Sequence, residues 1–403
     1  DELNSKTLFP DFSTFNFNGP IKLIFSTVEE DNNTFIRSDI DFTKAEVFVP
    51  ALALKKVKGK YGRLKFDFNK DNVSLFEYSQ NNVLVSGFAS HKSIFEIKGV
   101  NYSNIKTPDI QIEKATFQKF GEHNKFITNK GTVSLEFLMR LSFKKKNIPL
   151  DIVFSDVDIT FRKKKFLDSL KGEIRSFGGL RGYAKAKLLP KSNLEITISP
   201  HKNSGITLVV SGNDAGELLR RGRYYQNGYG GMFKASIFYK NRVKMSGSLE
   251  IREFRIKNAP VLAQIISSAS IIGLLDNLNG NGLLFTKIEG SFDYKDSELT
   301  LKNGVAVGPS LGLTMGGYER YGKKQNTVNV NGLISPVYII NGVVKAIPLI
   351  GKVLGGEKGE GVFGVSYKVK GNSSNPTVLV NPLSILTPGV FRKIFSIEEN
   401  GNR

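Results

Sequence analysis

The chain contains no cysteine in 403 residues. That excludes disulfides, thiolate nucleophiles and cysteine-based metal centres. Tryptophan is absent as well, and histidine occurs only at His91, His123 and His201. The three histidines are far apart, in polar stretches that read as turns. They are expected to be solvated rather than to converge on a metal. Long apolar runs are missing too. The longest, Val261–Leu275, covers 15 residues and is interrupted by Gln264 and three serines. A membrane-spanning helix needs about 20 apolar residues. No signal peptide is visible, and the sequence starts at Asp1, so it reads as a portion of something longer.

Catalytic motifs are equally scarce. There is no G-x-x-x-x-G-K-[ST] loop and no G-x-S-x-G elbow. Gly228–Gly231 and Gly280–Gly282 lack a phosphate-cradling context and read as turns. Asp151, Asp156 and Asp158 cluster, but the last two fall on the polar face of an alternating segment. No catalytic, cofactor-binding or metal-binding residue is assigned, and the chain is read as non-enzymatic.

What is present is strand chemistry. Hydrophobic residues make up 40% of the chain, enough for a packed core, and Phe is abundant at 30 residues with 13 Tyr. Aromatic and β-branched residues favour strands. Period-two alternation recurs through residues 1–210 and puts apolar side chains on one face. It places Leu64, Phe66 and Phe68 on one such strand, and Ile110 and Ile112 on another. Leu135 and Phe137, then Ile196 and Ile198, continue the pattern. Turn-forming clusters such as Asn69–Asn72 and Thr128–Gly131 separate the strands. The expected object is a long antiparallel β-meander with one continuous apolar face. If the meander curls without closing, those nine residues line an open apolar groove; if it folds on itself, they are the core of a sandwich.

Residues 211–403 read differently, as a second module with a few short helices. Asp214 is placed to cap a short helix through Arg221, since its carboxylate can accept first-turn N–H bonds. Pro260 opens the clearest helical pattern, with Leu262, Ile265, Ile266, Ala269 and Ile272 at i, i+3, i+4 spacing through about Leu275. As core, this helix plugs an end of the sheet; as membrane contact, it inserts into a leaflet. Its polar side carries Gln and Ser rather than the Lys and Arg of interfacial helices, which favours the plug. Two more short helices are expected at Val337–Ile347 and Pro388–Phe395.

The net charge is +20, and residues 261–403 carry 14 Lys and Arg against 10 Asp and Glu. Most of the excess therefore lies in residues 1–260, which points to anionic partners such as phosphates or lipid headgroups. The basic clusters are Phe143–Lys146, Phe161–Lys165 and Arg220–Tyr225. Lys163, Lys164, Lys165, Arg220, Arg221 and Arg223 are the candidate headgroup contacts. A solvated, edge-protecting role and phosphate contact with nucleic acid are the competing readings. No nucleic-acid motif supports the last.

The second half also carries an ordered series of short matches. They are Asp214–Leu219, Asn258–Leu262, Leu283–Phe285, Gly308–Gly312, Ile347–Gly351, Gly359–Phe363, and Asn381–Gly389 followed by Phe391 and Arg392. In this order they resemble the C-terminal region of the AsmA-like family, the YhdP/TamB-type envelope proteins of Gram-negative bacteria. The matches span about residues 210–395; residues 1–210 are similar in style alone. The resemblance implies a β-taco-like groove that shelters phospholipid acyl chains. It further implies transfer between inner and outer membrane and support of outer-membrane integrity. It implies a periplasmic location, with an N-terminal membrane anchor that this sequence does not include. A structural or assembly factor for outer-membrane proteins, and a basic nucleic-acid-binding protein, are the alternative functions.

Overall fold

A computed structural model describes residues 16–30, 33–49, 54–69, 73–93, 96–120, 123–140, 150–176, 179–189, 191–201, 205–241, 244–271, 273–336 and 364–381. The protein is mainly β, with a large, mostly antiparallel sheet that does not close into a barrel. Four short helices accompany the strands among the described residues. Contacts divide the chain into two compact units. One is Asp1–Lys191 with Glu195–Pro200; the other is Ser192–Leu194 with His201–Arg403. The sequence suggested a division at 210.

The first unit opens with β1 (Asn16–Asn18), β2 (Lys22–Glu30), β3 (Asn33–Asp41), β4 (Glu46–Val49) and β5 (Leu54–Lys56). Then follow β6 (Arg63–Asn69), β7 (Val73–Gln80), β8 (Val83–Ser93), β9 (Glu96–Lys106), β10 (Ile110–Phe120) and β11 (His123–Ser134). Helix α1 (Leu135–Arg140), β12 (Leu150–Phe161), β13 (Lys164–Arg175) and β14 (Arg181–Leu189) complete it. Strand β15 (Ser192–Pro200) contributes residues to both units. Antiparallel pairing runs β2–β3–β6–β7–β8–β9–β10–β11.

This order departs from a simple meander in two ways. Strand β3 pairs with β6, and β1, β4 and β5 form a separate three-stranded sheet. Strands β11 and β12 are parallel. A parallel neighbour requires a crossover rather than a hairpin, and α1 lies within that connection. The expected strand through Leu135 and Phe137 therefore stops at Ser134. Leu, Glu, Met and Arg are good helix formers, and the Ser134 hydroxyl caps α1 by accepting the Phe137 N–H at 3.0 Å. The alternation Val133–Phe137 ends in a helix that buries Phe137 in the core. Helices are thus not confined to the second module.

The second unit continues through β16 (Ile206–Gly212), α2 (Ala215–Arg221), β17 (Gly228–Asn241), β18 (Lys244–Ile256), α3 (Pro260–Ser268) and α4 (Leu274–Asn279). It ends with β19 (Leu283–Lys295), β20 (Glu298–Val307), β21 (Leu311–Arg320), β22 (Thr327–Pro336), β23 (Val365–Asn372) and β24 (Thr377–Asn381). Pairing from β16 to β24 is antiparallel between successive strands throughout. Asp214 caps α2, accepting the Glu217 N–H at 2.8 Å.

The expected helix through Leu275 is two helices. Ser270 and Gly273 adopt left-handed backbone between them, with φ of 54° and 82°. Consecutive serines weaken the helix, and glycine takes positive φ without steric cost. Ile272 and the expected helices Val337–Ile347 and Pro388–Phe395 lie outside the described residues.

Lys56 is 0% exposed, the largest departure from the sequence pattern in the first unit. Its ammonium lies within hydrogen-bond reach of the backbone carbonyls of Phe42, Thr43, Ala45 and Val57. Burial lowers its pKa, while Asp41 and Glu46 oppose that shift. The ammonium ties the Phe42–Ala45 turn to β5, and Phe42, Ala45 and Val47 belong to the buried core. Replacing it, Lys56→Met, leaves carbonyls unpaired and should destabilise the protein by roughly 3 kcal/mol. A denaturation midpoint unchanged from the parent would refute this role.

Candidate functional site

Strand registers define a single apolar face in each unit. In the second unit, one row across the sheet reads Phe233, Ile251, Ile288, Ala306, Leu313, Ile334 and Val365. Helices α3 and α4 sit over this row. Ile265, Ile266, Ala269, Leu274 and Leu278 are buried with Ala306, Ile334 and Val365 in one cluster, with Leu262 packed at its side. Of the helix residues singled out by spacing, Leu262, Ile265, Ile266 and Ala269 thus face the sheet.

Beyond the helices the same face continues without full burial. One further row carries Leu208, Ile237, Phe292 and Leu301, paired through Gly247. The next carries Ile206, Tyr239, Met245, Tyr294 and Leu299. All nine of these side chains are half-buried. Glycines on this face let the large side chains lie close to the backbone. A Cβ at Gly247 would meet the Ser236 carbonyl at 2.4 Å and the Phe292 ring at 3.0 Å. A Cβ at Gly304 would meet the Met315 side chain at 2.5 Å. The opposite face is polar and carries the ion pairs Lys287–Glu289 at 2.7 Å, Arg320–Glu298 at 2.7 Å and Lys302–Asp293.

The first unit repeats this division. Ile40, Tyr78, Val85, Ile105 and Ile112 lie in register and are buried with Phe42, Val47 and Phe137. The neighbouring row holds Phe25, Phe66, Phe76, Tyr102, Ala115 and Phe154. Phe76 and Tyr102 meet edge to face at 6.0 Å, and Tyr102 continues to Phe126 at 6.2 Å. Burial pushes the Tyr102 phenol up to about 12. Phe25 is 59% exposed at the β2 side of this row. Among the described residues β2 pairs with β3 alone.

Of the candidate lining residues, Leu64, Phe66 and Phe68 share this face on β6, where all three are half-buried. Ile110 and Ile112 are buried core. Leu135 and Phe137 belong to α1 rather than to a strand. Ile196 and Ile198 are half-buried on β15.

The basic candidates separate into two groups, one in each unit. Lys163 and Lys164 are exposed at the β12–β13 hairpin, where Arg162 and Lys163 have φ of 50° and 62°. Lys165 is engaged by Asp158 at 2.7 Å and Asp168 at 3.5 Å. The Asp158 hydrogen bond leads in raising its pKa. Arg220 and Arg221 are held by Glu217 at 2.9 and 2.8 Å. Arg220 also donates to the Gly228 carbonyl and lies 5.2 Å over the Tyr229 ring. Both arginines are therefore structural clasps of α2, and Arg223 is the exposed member of its group. The cluster Phe143–Lys146 lies outside the described residues.

Two further expectations need correction. Gly228–Gly231 is not a turn but the start of β17. Its open space is used for packing: a Cβ on Gly216 of α2 would meet the Gly228 carbonyl oxygen at 2.4 Å. His201 is not a solvated loop histidine. Its ring packs 4.0 Å from Phe238 and its Nδ1 hydrogen-bonds the Thr207 hydroxyl at 3.0 Å. His123 is exposed at the start of β11, and His91 lies in β8. No group of three or more His, Cys, Asp or Glu suited to a metal occurs among the described residues. No described helix is long and apolar enough to cross a membrane.

No protein-family model, curated protein or solved structure matches the chain.

The α2 clasp has a definite pH response. Burial alone would raise the Glu217 carboxyl, but hydrogen bonds from Arg221 and Arg220 outweigh it and hold it below the ordinary 4.5. A depressed folded-state value contributes stability above the unfolded value and loses it as pH falls through the folded one. Hydrogen exchange of α2 amides should therefore accelerate as pH drops below about 4.5, after correction for intrinsic exchange. Glu217→Gln should remove that response, and a wild-type-like profile in this variant would rule the clasp out.

Proposed function

We propose that this protein is a non-enzymatic lipid-handling protein of the cell envelope, with phospholipid acyl chains sheltered on its apolar β faces. The observation that carries the reading is the second unit's half-buried stretch, Leu208, Ile237, Phe292 and Leu301 with the adjoining row, which lies beyond α3 and α4 among the described residues. Soluble proteins seldom leave a contiguous apolar patch without a use. Each sheltered methylene contributes about 0.8 kcal/mol. A two-chain lipid therefore leaves a bilayer only when most of both tails are covered, which calls for an extended surface rather than a small pocket. Several successive strands presenting one apolar face are suited to that task.

In this reading the sheet is curled into an open groove, and the resemblance of the second half to AsmA-like proteins supplies the setting. The protein works in the periplasm of a Gram-negative envelope, passing phospholipid between inner and outer membrane. Helices α3 and α4 close one stretch of the face. The edge of β2 that no described strand pairs, with Phe25 beside it, favours a second role, in which an edge strand is extended by a client such as an outer-membrane protein.

Mass spectrometry of the purified protein tests the first reading. Phospholipid should co-purify at a defined stoichiometry. Leu208→Glu combined with Phe292→Glu should reduce it at least tenfold, because a charge on the apolar face opposes acyl burial. Protein that carries no lipid, and takes none up from vesicles, would sink the proposal.

A further inference from the structure

The apolar face is not the only place where large apolar side chains meet water. Tyr224 is 72%, Met232 57% and Tyr229 42% exposed, and all three belong to the α2–β17 corner of the second unit. Left-handed backbone at Gly230, Gly231 and Glu253 breaks the strict alternation there, with φ of 64°, 93° and 55°. As a result Ile251 and Phe254, three residues apart on β18, are both buried, while Tyr229 and Met232 both stay exposed. Tyr229 pairs in register with Arg255, and Met232 with Arg252.

Cations surround these side chains. Arg220 and Lys257 lie 5.2 and 5.8 Å from the Tyr229 ring. The Tyr225 hydroxyl donates to the Lys257 carbonyl at 2.7 Å, fixing the corner. Arg223 and Arg252 are exposed. Arg252 is paired with Glu250 at 2.5 Å. Arg220, Arg221, Arg223, Arg252, Arg255 and Lys257 outnumber Glu217, Glu250 and Glu253, although Glu217 holds the first two and Arg255 donates to the Asn281 and Gly282 carbonyls at 3.2 Å. The corner thus combines a positive field with side chains that are amphipathic (Tyr) or flexible and apolar (Met).

We infer that this corner is a docking surface for an anionic membrane interface. Basic side chains near an anionic leaflet are attracted to it, and tyrosine rings settle at headgroup level. Met232 and Tyr224 are placed to enter the boundary between headgroups and acyl chains. A nucleic-acid strand fits less well. Stacking platforms need free aromatic faces, and the Tyr229 ring already carries two cations. An exposed methionine offers phosphates nothing. The inference rests on the lipid-handling reading for the kind of surface involved, but it concerns other residues than the apolar face.

Flotation with vesicles tests it. The protein should bind vesicles of phosphatidylglycerol with phosphatidylethanolamine at least tenfold more tightly than phosphatidylcholine vesicles. Arg223→Glu with Lys257→Glu should reduce that binding at least tenfold. Tyr224→Ser with Met232→Ser should also reduce it, by roughly tenfold. If the charge reversals disturb folding, Arg223→Gln with Lys257→Gln should show a smaller loss in the same direction. All three double variants should keep their co-purified phospholipid, since none touches the apolar face. Equal binding to both vesicle types overturns the inference. So does a Tyr224/Met232 variant that binds like the parent, or one that loses vesicles to an oligonucleotide competitor while retaining full affinity for it. Lipid-free protein that still binds anionic vesicles sinks the acyl-groove reading and leaves this one standing.

Discussion

One constraint governs both units: a sheet with a single apolar face must cover it or leave it wet. Strand alternation fixes which side chains share that face, and covering them is what the remaining elements do. In the first unit the covering comes from Phe42, Ala45 and Val47 with Phe137 of α1. In the second it comes from α3 and α4, where Ile266 and Leu278 are fully buried. Each covering segment is short and local. Neither extends over the whole face, so each sheet grades from dry core to half-exposed apolar surface.

The outward faces answer the same constraint with opposite chemistry. Arg37 and the half-buried Asp67, at 3.0 Å, and the exposed Lys130 and Glu113, at 3.4 Å, pair across strands. Such pairs add little stability individually. Their larger effect is on register, because a one-residue slip would carry these charges onto the apolar face. Lys56 shows the exception that a turn permits. Its charge is buried because backbone carbonyls converge on it, and the small sheet β1–β4–β5 gains a polar anchor beside an apolar cluster.

Much of this was legible in the residues. Alternation at Leu64–Phe68 and Ile110–Ile112 identified strands and their apolar face correctly, and Asp214 was readable as a helix cap. What escaped reading did so for physical reasons. Val133–Phe137 satisfies period two, yet a serine cap and good helix formers turn its second half into α1, which local alternation cannot reveal. The parallel β11–β12 pair depends on a crossover, and pairing partners are not encoded in a strand's own pattern. In Pro260–Leu275 apolar spacing outweighed the serines, although the break occurs at Ser270. Lys56 sits among Lys55, Lys58 and Lys60, and nothing local marks which of them is enclosed. Clustering marks the basic candidates but does not distinguish Arg220 and Arg221, consumed by Glu217, from Arg223, which is exposed.

That distinction bears on what the excess positive charge is for. A charge already satisfied inside the fold cannot also recruit a partner without breaking its internal bonds. Arg220 ties α2 to β17 and Arg221 pairs with Glu217 within α2, so their loss should disturb the corner rather than remove a ligand contact. At the α2–β17 corner the exposed cations stand beside exposed Tyr224 and Met232. In the proposed lipid-handling role the apolar faces and this corner make different demands. The faces require acyl chains withdrawn from water; the corner requires only a charged surface to rest against. A protein that moves lipid needs both, because a chain has to leave one bilayer at a place where the carrier is held.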